Sequence, residues 1–517
     1  MKKTFYLTTP IYYINDVPHI GHAYCTIAAD ILARYKRLQG FDVFFLTGND
    51  ENSQKTVEAA KKANEEIHQY TDRMSQIWQN TWKALDITYD DFIRTTEPRH
   101  IQAVEKIFQK VYQNGDIYKS KYSGPYCWKC EAFYKESDLN DGLCPQHLSK
   151  CEILEEENYF FRLSRYQDQL LEHYRQHPQF VLPDYRKKEV LSFLESGLED
   201  ISISRMGQSW GIPLPIDKNQ VIYVWFDALI NYISGIGYGK KKKLKYWPAN
   251  LHILGKDIIR FHCIIWPAML LSAGLELPQS LFIHGFFTIN GQKISKSLGN
   301  AIDPVPIAKK FGNDVLRYYL FADFPFGQDG DFSFSSLLKR INHELADDLG
   351  NLLSRTVSMT IKFLNGTLQT GQWNSEEDQP LKQNALELLE NLDAHYCQLE
   401  YHKLLNRLWN LFRLANKYVE RTAPWKLAKE KEKHPRLCQV LYNLAEILRI
   451  GGYVLLPIMP KTAEKIFQAL GHRQEKNYPQ ALQWGRLKSG SQVQKIPPLF
   501  PKVDPSTLQE FSPPPPP

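Results

Sequence analysis

A chain of 517 residues with 43% hydrophobic and 23% charged side chains carries enough apolar surface for several cores, which excludes a disordered chain and suggests roughly three or four structural units. Its formal charge of +6 permits a polyanionic partner without requiring one, and no apolar run reaches the roughly 20 residues that a membrane helix needs. The start reaches Pro10 without a signal-peptide apolar stretch, and eight cysteines are too sparse for a disulfide scaffold, so we expect an unprocessed, soluble protein in the reducing cytoplasm.

The first elements alternate. Thr4 to Thr8 is rich in β-formers, Ala23 to Leu38 has the apolar spacing of a helix, and Phe41 to Leu46 is a short apolar run. Gly40 stands where a helix ends on a left-handed glycine. Two strands joined by a helix make a right-handed βαβ unit, the seed of a parallel sheet whose ligands gather beyond the C-terminal strand ends, where Tyr12 to His22 and Thr47 to Asn52 fall. The pattern breaks at about residue 117 and resumes after 220. Val221 to Phe226 then reads as a buried strand, Leu251 to Leu254 as another, and Asp257 to Leu271 as helical. Ser280 to Thr288 and the residues after Asn290-Gly291 read as a hairpin, because Asn-Gly favours a positive-φ turn.

From about Ser335 to Gly471 leucines recur at helical spacing, as at Leu345, Leu349, Leu352 and Leu353 and again at Leu404, Leu405, Leu408 and Leu411. Pro513 to Pro517 close the chain on an extended tail. The expected fold class is therefore α/β. A Rossmann-like parallel-sheet domain in two halves, 1–116 and 221–275, is split by an insertion at 117–220. A lysine-bearing loop region at 276–334, an all-α helical bundle at 335–495 and a proline-rich tail at 496–517 follow.

Three sets of residues carry chemistry. His19-Ile20-Gly21-His22 starts the first helix beyond a strand end, placing two imidazoles on one face beside unpaired backbone N–H groups, with Gly21 leaving room for a phosphate or nucleotide near the backbone. Lys293-Ile294-Ser295-Lys296-Ser297, about 270 residues later, sets two ammonium groups and two hydroxyls on a short loop after a hairpin, able to close over a triphosphate. Cys127-x-x-Cys130, thirteen intervening residues and Cys144-x-x-His147 have the spacing of one tetrahedral zinc site, with Cys151 close enough to replace His147. Four protein ligands leave no open position, so such a zinc ion is structural.

The histidine and lysine motifs together resemble the two signature sequences of class I aminoacyl-tRNA synthetases, with Ile294 in place of the usual methionine. From Thr8-Thr9-Pro10-Ile11-Tyr12-Tyr13 through Val224-Trp225-Phe226-Asp227-Ala228 and Gly255-Lys256-Asp257-Ile258 to Ala423-Pro424-Trp425, the chain resembles the methionyl-tRNA synthetases in particular. The resemblance implies ligation of methionine to tRNA through a methionyl-adenylate, with Mg²⁺-ATP as co-substrate and His147 as the fourth zinc ligand.

It assigns His19, His22, Lys293 and Lys296 to catalysis, and Gly21 and Asp257, with both lysines, to ATP. Ile11, Tyr13, Asp50, Trp225, Ala228, Leu229, Tyr232, Ile258 and His262 go to methionine, and Asn351, Arg355 and Trp425 to the anticodon. Their chemistry suits the roles: Asp50 pairs with an α-ammonium, Trp225 and the aliphatic residues enclose an apolar chain, and Tyr13 and His262 donate to a thioether. Asn49 and Asn52 stand where the family usually has threonine and histidine, which alters local hydrogen bonding near the nucleotide. No C-terminal tRNA-binding barrel is recognisable, so a monomer is expected. Another class I synthetase for an aliphatic amino acid is disfavoured by the lack of a large editing insertion. A catalytically silent tRNA-binding protein is disfavoured by retention of both motifs and Asp50.

Overall fold

The computed structural model describes residues 2–128, 132–134, 136–145, 148–239, 244–289, 291–293 and 301–507. The chain forms two compact units, one of Met1–Pro18 with Asp42–His284 and one of His19–Phe41 with Gly285–Pro517. Among the described residues no helix is long and apolar enough to cross a membrane.

The first unit is built on a parallel sheet of six strands: β1 (Thr4–Tyr13), β2 (Asp42–Asp50), β3 (Asp91–Arg94), β4 (Val181–Leu182), β5 (Leu251–Gly255) and β6 (Leu281–His284), in the order β3-β2-β1-β5-β6-β4. β2 and β5 are buried along almost their whole length, as strands covered on both faces must be. β1 and β2 run past their expected ends at Thr8 and Leu46. The register shifts between Thr8 and Ile11, which absorbs Pro10, and pairing resumes from Ile11↔Gly48 to Tyr13↔Asp50. Gly48 is required there, because a Cβ at that position would lie 2.0 Å from the Ile93 carbonyl oxygen of β3.

The insertion carries a long antiparallel pair, Ile117–Cys127 with Glu152–Phe161. The strand expected from Val221 to Phe226 is corrected: a strand Asp217–Ile222 ends first, and Val224–Leu229 is a helix that buries every residue but Trp225. A short, wholly apolar run has no periodicity to separate the two forms. The segment Ser280 to Thr288 is likewise split. Leu281–His284 is β6 of the parallel sheet, and only Phe287–Ile289 forms the hairpin, pairing with Gln292–Lys293 across Gly291 at φ +76°.

The second unit is mainly helical. The eight leucines singled out by periodicity are all buried, within Arg340–Gly350, Asn351–Leu364 and Tyr401–Thr422, and His434–Leu455 is a further long helix of this unit. The helix Ile20–Leu38, closed by Gly40 at φ +88°, packs here: Tyr35 stacks on Tyr396 at 4.0 Å, and the Tyr401 hydroxyl donates to the Ala28 carbonyl at 2.9 Å.

Its deepest anchor is ionic. Arg317, 1% exposed, donates from Nη2 to Asp30 Oδ2 at 2.7 Å and from Nε to the Ile458 carbonyl at 2.7 Å, and Arg34 Nε reaches the same Asp30 oxygen at 2.7 Å. Removing one partner strands a buried charge. Arg317→Met is expected to cost about 3–5 kcal/mol in chemical denaturation followed by helix circular dichroism, and adding Asp30→Leu to restore much of it. A cost below about 1 kcal/mol, the worth of a surface pair, would show that this ion pair does not anchor the helix.

Candidate active site

His19 is the N-cap of the helix Ile20–Leu38, in extended backbone. Its Nδ1 accepts the Gly21 N–H at 3.1 Å, His22 Nδ1 accepts the His19 N–H at 3.2 Å, and the rings stack at 3.7 Å. The Ile20 N–H donates to the Ile302 carbonyl at 2.9 Å. The unpaired N–H groups expected at this helix start are therefore already engaged, because imidazole acceptors close the capping box that serine and glutamate usually form. Burial lowers the His19 pKa to about 4; burial and then the facing His19 ring hold His22 well below its ordinary value. A neutral ring has one proton, and with Nδ1 accepting, that proton sits on Nε2. Each ring is thus a neutral Nε2–H donor and not a cation.

The residues assigned to methionine all lie in the first unit. Tyr13 and Asp50 are partners at the paired ends of β1 and β2, and Asp50 is buried. Trp225 meets Tyr13 edge-on at 6.3 Å and stacks on Phe261 at 3.8 Å. Phe261 was not singled out from sequence; the adjoining His262 was its only signal. Lys55 Nζ lies 4.6 Å from the Tyr13 ring centre.

Burial lowers His262 to about 4, and its Nδ1 faces the Ile258 carbonyl at 3.0 Å. A carbonyl only accepts, so Nδ1 bears the proton and Nε2 accepts from the Tyr232 hydroxyl at 2.7 Å. His262 therefore has no hydrogen left for a thioether, a correction to the donor role expected of it. Leu229, Tyr232 and Ile258 share one apolar cluster, whereas Ile11 packs in another with Tyr6, Phe44 and Leu46. Ala228 is buried on the Trp225 helix. Asp257 is exposed on the turn after β5, its Oδ1 lying 2.6 Å from where a Cβ on Gly255 would stand.

The two departures from the family pattern behave differently. Asn49 Nδ2 contacts the Tyr12 carbonyl at 3.4 Å, while its buried Oδ1 finds no hydrogen-bond partner among the described residues. Asn52 Nδ2 donates to Asp227 Oδ2 at 2.7 Å, so the amide still supplies an N–H donor where a histidine is usual.

Lys293 pairs through its backbone with Thr288, and Lys296 lies outside the described residues. So do Cys130 and His147 of the expected zinc set. Cys127 and Cys144 are fully buried. Burial raises the Cys151 pKa, and the neighbouring Cys127 and Cys144 raise it further; thiols are a donor type that zinc takes, so these residues fit the ion in kind. Among the described residues alone no group of three His, Cys, Asp or Glu is arranged to hold an ion. Of the anticodon residues, Asn351 is exposed and Arg355 lies one turn along the same helix, its Nη2 on Glu420 Oε1 at 2.6 Å. Trp425 is 37% exposed just beyond the Glu420 helix.

Residues 5–153 and 137–357 match the family described as class I tRNA synthetases (M), and residues 368–513 match the anticodon binding domain of methionyl tRNA ligase. The chain is 48% identical to the methionine–tRNA ligase of Caldanaerobacter subterraneus subsp. tengcongensis over 98% of this chain and 80% of that relative. It is 44% identical to that of Thermosynechococcus vestitus over 97% of this chain and 98% of the relative. Mycobacterium tuberculosis methionyl-tRNA synthetase in complex with methionyl-adenylate superposes with a TM-score of 0.93 at 41% identity, covering 96% of this chain and 100% of that one. Matched along almost its whole length in sequence and in fold, the chain belongs to the methionyl-tRNA synthetases, class I ligases that join methionine to tRNA.

Proposed function

We propose that this ligase works in two steps on a single adenylate, with roles that follow from the chemistry of its side chains. Methionine's carboxylate attacks the α-phosphorus of Mg²⁺-ATP, pyrophosphate leaves, and the terminal ribose hydroxyl of tRNA(Met) then takes the acyl group. The carboxylate is already ionised, so the first step needs no protein nucleophile. Catalysis comes from positioning and from donors aimed at the charge that grows on the phosphates.

Likeness to a synthetase holding methionyl-adenylate, over almost the whole of both chains, is the observation that carries this reading. His19 and His22 supply neutral N–H donors, with Gly21 leaving space beside them; Lys293 and Lys296 supply charge, and Asp257 takes the ribose. Asp50 anchors the ammonium, and Trp225 with Tyr13, Ile11, Ala228, Leu229, Tyr232, Ile258 and His262 forms the apolar side. Cys127, Cys130, Cys144 and His147 would hold one zinc ion, which when bound would keep the insertion folded. Asn351, Arg355 and Trp425 read the anticodon, Trp425 by stacking and Arg355 by hydrogen bonding. We read the enzyme as a cytoplasmic monomer, its eight cysteines being too sparse for a disulfide scaffold.

Among the twenty amino acids, methionine alone is expected to support ATP–pyrophosphate exchange; exchange driven by leucine, isoleucine or valine would redirect the assignment. Lys296→Ala should slow adenylate formation by about 10²-fold with methionine affinity nearly intact, as read in pre-steady-state bursts.

pH separates neutral imidazole donors from cations. Because His19 titrates at about 4, exchange should stay level as the pH falls from about 8 to about 5.5, and a rise through about 6.5 would mean that an imidazolium acts. The same lowered pKa stabilises the fold above about 6.5 and is lost as the pH falls toward about 4, since the unfolded chain takes the proton first. Trp425→Ala should weaken tRNA charging at least about tenfold while sparing exchange, and equal loss in both assays would make the tryptophan merely structural.

A further inference from the structure

The main-chain ladder around β2 stops at the edge of the methionine site. Its last pairs are Tyr13↔Asp50 on one side and Asn49↔Arg94 on the other, so the chain after Asp50 is held by side chains and not by the sheet. Glu51 is pinned within its own neighbourhood: its N–H donates to Thr95 Oγ1 at 2.9 Å, its Oε1 accepts from Arg94 Nε at 2.7 Å, and its carbonyl accepts from Trp210 Nε1 at 2.7 Å. Asn52 reaches further. Its Nδ2 contacts the Thr95 carbonyl at 3.3 Å and donates to Asp227 Oδ2 at 2.7 Å.

Asp227 is fully buried on the helix Val224–Leu229, which carries Trp225, Ala228 and Leu229. Its second oxygen, Oδ1, contacts His100 Nε2 at 2.6 Å, and His100 Nδ1 contacts Ser234 Oγ at 2.8 Å. His100 and Ser234 are themselves wholly buried, and Ser234 ends the helix Asn231–Ser234 that carries Tyr232. One polar chain, Asn52–Asp227–His100–Ser234, therefore joins the three segments bearing Asp50, Trp225 and Tyr232.

A buried carboxylate is costly unless both oxygens are satisfied, and apolar residues would fill the same space at lower cost, so its worth lies in the geometry it fixes. We infer that Asp227, braced by His100, is a positioning residue for methionine, setting through Asn52 the spacing between Asp50 and the Trp225 helix. The inference rests on the assignment of Asp50 and Trp225 to methionine.

The test uses the full-length enzyme in ATP–pyrophosphate exchange, with methionine and ATP titrated separately and melting temperature measured alongside. Asn52→Ala removes the amide, and with it the contacts to Asp227 and Thr95, and should raise the KM for methionine about tenfold or more, with the KM for ATP within about twofold and melting within about 2 °C of wild type. Asn52→Asp sets a carboxylate against that of Asp227 and should raise the KM for methionine further. Adding Asp227→Asn to it should win back at least about tenfold, because the new amide donates to the new carboxylate while still accepting from His100.

A KM for methionine within about twofold of wild type in Asn52→Ala overturns the inference, as does an equal rise in both KM values or a double variant no better than Asn52→Asp. Lack of methionine-dependent exchange in the wild type would instead sink the underlying assignment, so the two failures are distinguishable.

Discussion

A neutral imidazole holds one proton, and the backbone decides which nitrogen has it. This constraint gives the histidines of this enzyme opposite characters. At the helix start, amide N–H groups point at Nδ1 of His19 and His22, so both rings become donors at Nε2. At His262 a carbonyl points at Nδ1, so the ring becomes an acceptor at Nε2 and takes the Tyr232 hydroxyl. Phosphate oxygens need donors. A thioether chain is better served by a wall whose polar atoms already satisfy one another, because a wall with an unmet donor would favour a polar side chain of similar size. The same residue type therefore presents a donor at one place and an acceptor at another without any change of charge.

Buried ions obey a parallel rule. Asp30 meets Arg317 and Arg34, Glu51 meets Arg94, and Asp227 meets His100 and Asn52. Each carboxylate lies at a join between segments distant in sequence. The apolar clusters supply the driving force for burial, and these directional contacts choose one arrangement among the many that such clusters allow.

Legibility in the sequence follows the range of the forces involved. Local signals survive: the leucine periods of the bundle, the strand at Leu251, and the glycine turns at Gly40 and Gly291 all lie where residue spacing places them. Local signals also mislead where two forms share one pattern. Val221 to Phe226 is as apolar as a strand, yet from Val224 the chain folds as a helix, and the β-rich run read as ending at Thr8 is carried past Pro10 by a register shift. The residues that the family resemblance assigns to methionine lie in one unit, but the resemblance does not say how they act. The tautomer of His262 depends on a carbonyl four residues earlier, and His100 meets Asp227 across 127 residues. Neither relation leaves a trace in composition or period.

The helix Ile20–Leu38 shows what such long-range contacts achieve. It begins with the histidine motif, yet its partners are the helices of the second unit, among them Tyr401–Thr422, whose first residue donates to the Ala28 carbonyl. Near the far end of that helix, Glu420 holds Arg355, and Trp425 follows shortly after. At about 1.5 Å per residue, the helix spans about 29 Å between Tyr401 and Glu420. A hydrogen-bonded rod of that length changes its span little, so the distance from the histidine-bearing helix to the residues assigned to the anticodon is fixed by a single element.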